Sequence, residues 1–301
     1  MPLDPYSSKT ERTLVFGPDE NLVATLTPPA GGPVAPRFAV LLTNVGINPR
    51  CGPYRLNVEV ARRFAQLGIP SLRFDLSGLG DSARGSGTLS PSQQWVLDTR
   101  AAMDEAEREL GIREFVMIGV CSGADIAYLT APVDPRLRGV VLFDPYLYPT
   151  VRTVVRGVLY RLHAQGLATT ARLALRRLAR LARQRFTSRK SVTADGESTL
   201  RYGPTAPSLD EFAGRIGSIV DGGARVLFLY SGSYPYYYNY ESQVLDNLRP
   251  YGLHDKVETG FLREADHVLM GMAGRRRFIE RCVSATSRWF GTPEGDTPKV
   301  L

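Results

Sequence analysis

The chain has 301 residues, 43% of them hydrophobic and 22% charged, a globular composition that excludes disordered and fibrous classes and predicts one large domain. Its three cysteines form no CxxC pair, so we expect neither a disulfide framework nor a zinc site. The N-terminus has no apolar signal region, and no apolar run reaches the length of a membrane span, about 18 residues. We therefore expect a soluble, cytoplasmic protein. The net charge is +7, but the segment 152–190 holds eleven Lys or Arg and no acid, so the remainder sums to −4; this local excess is not the overall basic surface of a nucleic-acid binder.

From residue 13 to residue 145, apolar runs rich in β-formers alternate with helical segments, which predicts βαβ units around a mostly parallel sheet. Strands are predicted at 13–16, 22–27, 38–43, 70–75, 115–120, 139–144, 225–230 and 257–262, the first two as a hairpin. Helices are predicted at 54–67, 91–110, 122–131, 241–248 and 274–289. We expect an eight-stranded α/β core at 11–149 and 206–290, a helical, Arg-rich cap inserted after the sixth strand at 150–205, and a flexible tail at 291–301.

A tight turn is predicted where the strand at 115–120 meets the next helix, in Gly119-Val120-Cys121-Ser122-Gly123. A nucleophile in such a strained turn needs glycine two positions to either side, where a side chain would collide with the backbone. These glycines flank Cys121, whereas Ser122 would need them at 120 and 124. The following helix N-terminus favours a thiolate. We therefore expect Cys121 to be a nucleophile; the alternative is a buried structural cysteine.

A second motif, Asp75-Leu76-Ser77-Gly78-Leu79-Gly80-Asp81-Ser82, follows the strand at 70–75. With the Cys121 turn and a later histidine, it resembles the α/β-hydrolase family, in which a D-x-R-G-x-G-x-S segment follows the fourth strand; Ser77 replaces the usual arginine. The segment 45–55, this motif, the turn and Ala265-Asp266-His267 are similar to the hydrolases associated with exosortase systems, over roughly residues 11–290. That resemblance implies the α/β-hydrolase fold, a cytoplasmic location and a cysteine nucleophile. More distantly, the turn is similar to those of dienelactone hydrolases and polyhydroxyalkanoate synthases.

The resemblance places the general base at His267, shortly after the last strand and after the nucleophile in chain order. Imidazole titrates near neutrality, so it accepts the thiol proton and returns it to the leaving group. The family's acid normally follows the seventh strand, but the segment 231–238 contains no carboxylate. Asp144, at the end of the sixth strand, is our first candidate and Glu241 the second. A Cys-His dyad is the third, because a thiolate depends less on an orienting acid.

Backbone amides are expected to hold the oxyanion of an acyl-transfer intermediate: that of Ser122, after the nucleophile, and that of Gly46, in the loop after the third strand. The tyrosine-rich stretch that replaces the acid loop includes Tyr234, Tyr236 and Tyr237. These rings are predicted either to line an acyl pocket or to fill the space of the absent acid loop.

The segment 171–183, ARLALRRLARLAR, is predicted to be an amphipathic cationic helix. Arg176 and Arg180 on its basic face are candidates to bind the phosphates of coenzyme A, to dock an acidic acyl-carrier protein, or to contact an anionic membrane. The alternative is a solvated face whose leucines pack on the core.

The expected function is acyl transfer: an ester or thioester donor, acyl-CoA or an acyl-carrier protein, forms an acyl-thioester on Cys121 that water discharges, as in a thioesterase or esterase. An acyltransferase with an amine or alcohol acceptor is one alternative, and a non-catalytic binding protein of the same fold is another. We expect no cofactor and no metal, because no GxGxxG opens a helix after a strand and no ligand cluster is visible. No nucleic-acid partner is expected, and a homodimer is compatible with the sequence.

Overall fold

The computed structural model describes residues 11–30, 36–85, 87–163 and 206–291. Most of the predicted cap, residues 164–205, and nearly all of the predicted tail, residues 292–301, lie outside the described residues. The candidate residues Arg176 and Arg180 fall in the first of these segments, so their role stays a prediction.

The core is one eight-stranded sheet with the strand order β1-β2-β4-β3-β5-β6-β7-β8. The strands are β1 (Arg12–Phe16), β2 (Leu22–Thr27), β3 (Ala39–Leu42), β4 (Ser71–Phe74), β5 (Phe115–Val120), β6 (Leu137–Phe143), β7 (Arg225–Ser231) and β8 (Glu258–Leu262). Strands β1 and β2 form an antiparallel hairpin, β2 runs antiparallel to β4, and all other neighbours are parallel. The predicted mostly parallel α/β sheet is confirmed.

Helices cover both faces of the sheet, because every strand in its middle has apolar side chains on both sides. They are α1 (Leu56–Gln66), α2 (Pro91–Leu110), α3 (Ser122–Thr130), α4 (151–163), α5 (Leu209–Asp221), α6 (Gln243–Leu248) and α7 (Met272–Phe290). On β5, Phe115 and Met117 pack with residues of α2, α3 and α5, whereas Val116 and Ile118 pack with residues of α1 and α7. The sheet is thus the middle layer of three.

Helix α5 is an element that the sequence analysis missed. Its N-terminus carries a capping box, in which Ser208 Oγ accepts the Glu211 amide at 3.2 Å and the Glu211 carboxylate accepts the Ser208 amide at 2.8 Å. The pattern Ser-x-x-Glu followed by Phe212, Ile216 and Ile219 at helical spacing is the signal that predicts it.

The parallel strands end at one edge of the sheet, and the loops that follow β3, β5, β6, β7 and β8 meet there. Cys121, Asp144 and His267 lie in three of these loops. In the part of the chain that the structure describes, no helix combines the length and the apolar character needed to cross a bilayer.

Candidate active site

Cys121 lies in the turn between β5 and α3, with φ 56° and ψ −118°, a conformation that non-glycine residues rarely adopt. A Cβ atom at Gly119 would lie 2.3 Å from the carbonyl oxygen of Gly123, and one at Gly123 would lie 3.0 Å from the carbonyl oxygen of Asn44. Glycine is therefore required two residues before Cys121 and favoured two residues after it. Ser122, by contrast, is an ordinary first residue of α3, so the strained position belongs to the cysteine.

His267 lies in the loop after β8, and hydrogen bonds fix that loop. The His267 amide donates to Ser233 Oγ at 2.8 Å. The Asp266 carboxylate accepts the backbone amides of Val268, Met270 and Gly271, each at 3.1 Å. Burial alone would raise the pKa of Asp266, but these amides outweigh it and lower that pKa, which keeps the carboxylate charged. The loop thus holds the imidazole in one place.

Asp144 follows β6 at φ 48°, and only 3% of its surface is exposed. Its Oδ2 lies 2.8 Å from His267 Nδ1. Ser231, at the end of β7, donates its amide to Oδ1 at 2.7 Å and its hydroxyl to Oδ2 at 2.6 Å. Glu241 is exposed, so of the two acids considered it is Asp144 whose carboxylate lies against the histidine.

The imidazole of His267 is hydrogen-bonded to Asp144, and the Cys121 side chain lies close enough to influence its charge. Burial lowers the pKa of His267, but the hydrogen bond and negative charge of Asp144, together with the neighbouring Cys121, outweigh that effect and raise this pKa to about 10. The imidazolium form is therefore favoured at neutral pH.

The two predicted oxyanion donors lie next to each other, but in an arrangement the sequence did not indicate. The Gly46 amide donates to the side-chain oxygen of Ser122 at 2.8 Å. Gly46 has φ 58°, and a Cβ there would meet nothing within 4 Å, so the backbone conformation rather than space favours glycine. The Gly46 amide is thus already bonded, and the Ser122 hydroxyl lies where a substrate oxygen was expected.

The motif that begins at Asp75 supports the loop that contains Gly46 rather than contacting Cys121. Asp75 is fully buried and accepts Asn44 Nδ2 at 2.9 Å, the Arg50 amide at 2.6 Å and Arg50 Nη1 at 2.6 Å. A Cβ at Gly80 would lie 2.4 Å from the Asp75 carboxylate, so only glycine fits at position 80. The sequence analysis identified the motif but missed its action through Asn44 and Arg50 on the Gly46 loop.

Arg275 of α7 is a second supporting residue that the sequence analysis missed. Its guanidinium is buried and donates to the carbonyl oxygens of Leu269 at 3.0 Å and Met270 at 3.3 Å, just after His267. It also forms a salt bridge with Glu59 of α1 at 2.7 Å. No local signal distinguishes it among the three consecutive arginines at 275–277.

The three predicted tyrosines have different surroundings. The ring of Tyr234 packs edge-on against His267, with 5.3 Å between centroids. Tyr236 instead packs against Tyr160 of α4, and Tyr237 is 52% exposed. Of the three, Tyr234 alone contacts a predicted site residue through its ring. Among the described residues, no group of three His, Cys, Asp or Glu side chains is placed to hold a metal ion.

A strained residue after β5, a histidine after β8 and a carboxylate bonded to that histidine, at the carboxyl edge of a mostly parallel sheet, define an α/β hydrolase. A family model described as Serine aminopeptidase, S33, matches residues 36–203, more than half of the chain. The chain belongs to this family of hydrolases.

Solved structures share the fold at low sequence identity. An esterase of Pyrococcus furiosus is 15% identical with a TM-score of 0.59, and the match covers 94% of this chain and 92% of that chain. The esterase domain of a Rhodothermus marinus protein is 16% identical with a TM-score of 0.54, covering 94% and 100%. An α/β serine hydrolase without a lid from Xanthomonas campestris is 12% identical with a TM-score of 0.55, covering 96% and 98%. The comparison with curated proteins gave no match.

Proposed function

We propose that this hydrolase cleaves acyl esters or thioesters with Cys121 as the nucleophile, His267 as the acid and base, and Asp144 as the carboxylate that orients His267. One observation carries the proposal: His267 is hydrogen-bonded to the buried Asp144 and lies beside the strained Cys121. This continuous contact of nucleophile, base and orienting acid is the arrangement that nucleophilic catalysis needs. The family match supports hydrolysis, while the cysteine at the turn distinguishes this chain from a serine enzyme.

In the acylation step, His267 already holds the proton that came from Cys121, and the thiolate sulfur attacks the carbonyl carbon of the substrate. The carbonyl π electrons move to the oxygen, which becomes the oxyanion of a tetrahedral intermediate. When this intermediate collapses, the bond to the leaving oxygen or sulfur breaks and His267 gives it the proton. The product is an acyl-thioester on Cys121.

In the deacylation step, His267 takes a proton from water while the water oxygen attacks the thioester carbon. The intermediate expels the Cys121 sulfur, which recovers the proton from His267, and a carboxylic acid leaves. Because the Asp144 carboxylate lies 2.8 Å from Nδ1, it keeps the proton-exchanging nitrogen of His267 directed at Cys121. An amine or alcohol in place of water would give acyl transfer by the same steps.

The oxyanion is best served by the amide of Ser122, at the N-terminus of α3, together with the hydroxyl of the same residue. The Ser122 oxygen accepts the Gly46 amide, which fixes it, and its own hydrogen can then point at the oxyanion. Gly46 contributes in this arrangement by holding the hydroxyl. Tyr234, against His267, is the proposed wall of the acyl site.

Intact-protein mass spectrometry with p-nitrophenyl butyrate and butyryl-coenzyme A tests the proposal. We expect wild type to gain one butyryl group and Cys121→Ala to gain none. The matched control, Cys51→Ala, removes a half-buried cysteine outside the hydrogen-bonded group and should keep the adduct. Decay of the adduct in water identifies a hydrolase, and decay only on addition of an amine or alcohol identifies an acyltransferase.

Alkylation by iodoacetamide near neutral pH separates an enzyme from a binding protein. We expect Cys121 to react much faster than Cys51 and Cys282. Cys282 is fully buried, and burial raises the pKa of its thiol, so it should be inert. If Cys121 reacts no faster than Cys51 and neither donor leaves an adduct, the proposed chemistry is wrong and the non-catalytic interpretation replaces it.

A further inference from the structure

Helix α4 has its apolar side chains on the outside. Among residues 151–160, the positions buried against the protein body are Thr153 and Gly157, a polar residue and a glycine. The other eight positions are exposed, and six of them are large apolar residues: Val151, Val154, Val155, Val158, Leu159 and Tyr160. A helix at the surface of a soluble domain normally shows the opposite pattern, and within the described part of the chain nothing covers this face, which makes it a candidate interaction site.

The buried stripe attaches α4 to the tyrosine loop beside the candidate active site. Asn239 Nδ2 donates to the Thr153 carbonyl at 3.0 Å, and the Tyr240 hydroxyl lies 2.7 Å from Thr150 Oγ1, just before the helix. A Cβ at Gly157 would lie 3.8 Å from the ring of Tyr236. Because the same loop begins at Tyr234, which packs on His267, α4 lies at the active-site edge of the sheet.

The apolar surface continues on other loops at this edge. Ile47 follows β3, Tyr54 precedes α1, Tyr237 follows β7, and Met270 and Met272 follow His267. Their exposed fractions are 67%, 56%, 52%, 57% and 68%, respectively. Large apolar side chains this exposed, gathered on one edge, form more than the isolated surface residues that every protein has.

The charge on α4 is positive. Arg152 and Arg156 lie over the ring of Tyr240, at 4.4 Å and 5.8 Å from its centroid, and Arg161 lies 4.3 Å from that of Tyr236. Within the described ranges, no carboxylate forms a salt bridge with any of the three. Three arginines and no acid on this helix make its exposed surface positive, so an anionic surface would attract this face.

We propose that the exposed face of α4, together with Ile47, Tyr54, Tyr237, Met270 and Met272, is a docking surface for an anionic lipid bilayer. Valine, leucine, methionine and tyrosine side chains enter the boundary between headgroups and acyl chains, while arginines pair with lipid phosphates. A bilayer offers anionic phosphates and an apolar interior along one continuous surface, and therefore matches both the arginines and the apolar side chains. Docking would bring the Cys121 edge of the sheet to the membrane surface, and it is independent of the proposed chemistry.

Co-sedimentation with lipid vesicles tests this docking surface, using the Cys121→Ala protein so that the result does not depend on turnover. We expect binding to vesicles of phosphatidylcholine mixed with phosphatidylglycerol, and much weaker binding to phosphatidylcholine alone. The double variant Val154→Asp/Val155→Asp should lower the partition coefficient about tenfold or more. Arg152→Gln should lower it about fivefold, from the roughly 1 kcal/mol of one basic residue near an anionic surface.

The matched control is Val15→Asp/Val133→Asp, which places the same charges at valines 58% and 53% exposed, compared with 56% and 53% for Val154 and Val155. This control should bind vesicles like the parent protein. Thermal unfolding of all variants checks that they are folded. Equal vesicle binding by the two double variants would overturn the proposal. Failure of the parent protein to bind vesicles would also overturn it, because another occupant would then cover α4. If analytical sedimentation shows a dimer that Val154→Asp/Val155→Asp dissociates, that occupant is a second copy of the chain.

Discussion

The substitution Asp144→Asn tests the proposed site most directly, because it keeps the side-chain size and removes one charge. The carboxylate accepts three hydrogen bonds, from the Ser231 amide at 2.7 Å, the Ser231 hydroxyl at 2.6 Å and His267 Nδ1 at 2.8 Å. An asparagine that accepts the Ser231 amide through its oxygen turns its NH2 group toward Nδ1. His267 must then carry its proton on Nε2, the nitrogen that faces Cys121, which is the wrong tautomer for a base.

The size of the effect follows from the lost interaction. A hydrogen bond to a charged group is worth about 1.5–3 kcal/mol, and 1.36 kcal/mol is a factor of ten in rate, so kcat/KM should fall about 10- to 150-fold. The assay is hydrolysis of p-nitrophenyl butyrate across the pH range. Asp104→Asn, the same change in an exposed carboxylate paired with Arg136, is the control and should retain the wild-type kcat/KM.

The pH profile gives a second readout. The pKa of His267 is about 10 because Asp144 and Cys121 outweigh burial. As pH rises through that value the imidazolium loses the proton it gives to the leaving group, and kcat/KM should decline. Without the Asp144 charge, burial lowers the pKa of His267, so the decline should begin at a lower pH. If kcat/KM stays within about threefold of wild type and the alkaline decline does not move, the reasoning about Asp144 is refuted.

Three further substitutions have predicted outcomes. Gly119→Ala puts a Cβ 2.3 Å from a backbone oxygen of α3 and should lower the free energy of unfolding by about 3 kcal/mol or more. Gly214→Ala, in α5 with nothing within 4 Å of the new Cβ, should raise the free energy of unfolding by about 0.5–1 kcal/mol. Urea unfolding that ranks the two variants in the other order would contradict the turn geometry. Arg275→Met leaves buried carbonyls without a donor and should cost about 2–3 kcal/mol by the same measurement, with an unchanged midpoint as the contrary result. Ser122→Ala removes the hydroxyl held by the Gly46 amide and should lower kcat about 100-fold with little change in KM; a kcat equal to wild type would show that this hydroxyl does not serve the oxyanion.

The central strands were predictable because their signals are local. The run Phe115–Val120 is apolar at every position but one glycine, as expected for a parallel strand covered on both faces, and the predicted and observed bounds agree. The glycines around Cys121 are dictated by backbone distances within five residues. Helix α5 was missed although its capping box and apolar spacing are local too, because it directly follows the segment assigned to the cap.

The sequence by itself determined which residue types occupy the turn after β5 and the loop after β8, since both follow from local backbone geometry and chain order. It left the acid open among Asp144, Glu241 and none. The tertiary structure decided which carboxylate lies at His267, because Asp144 and His267 are 123 residues apart and meet only where β6 and β8 end on one edge of the sheet. The bond between Gly46 and Ser122 and the buried guanidinium of Arg275 depend on the same convergence. Contacts of this kind are set by strand order and register, which no local pattern of residues encodes.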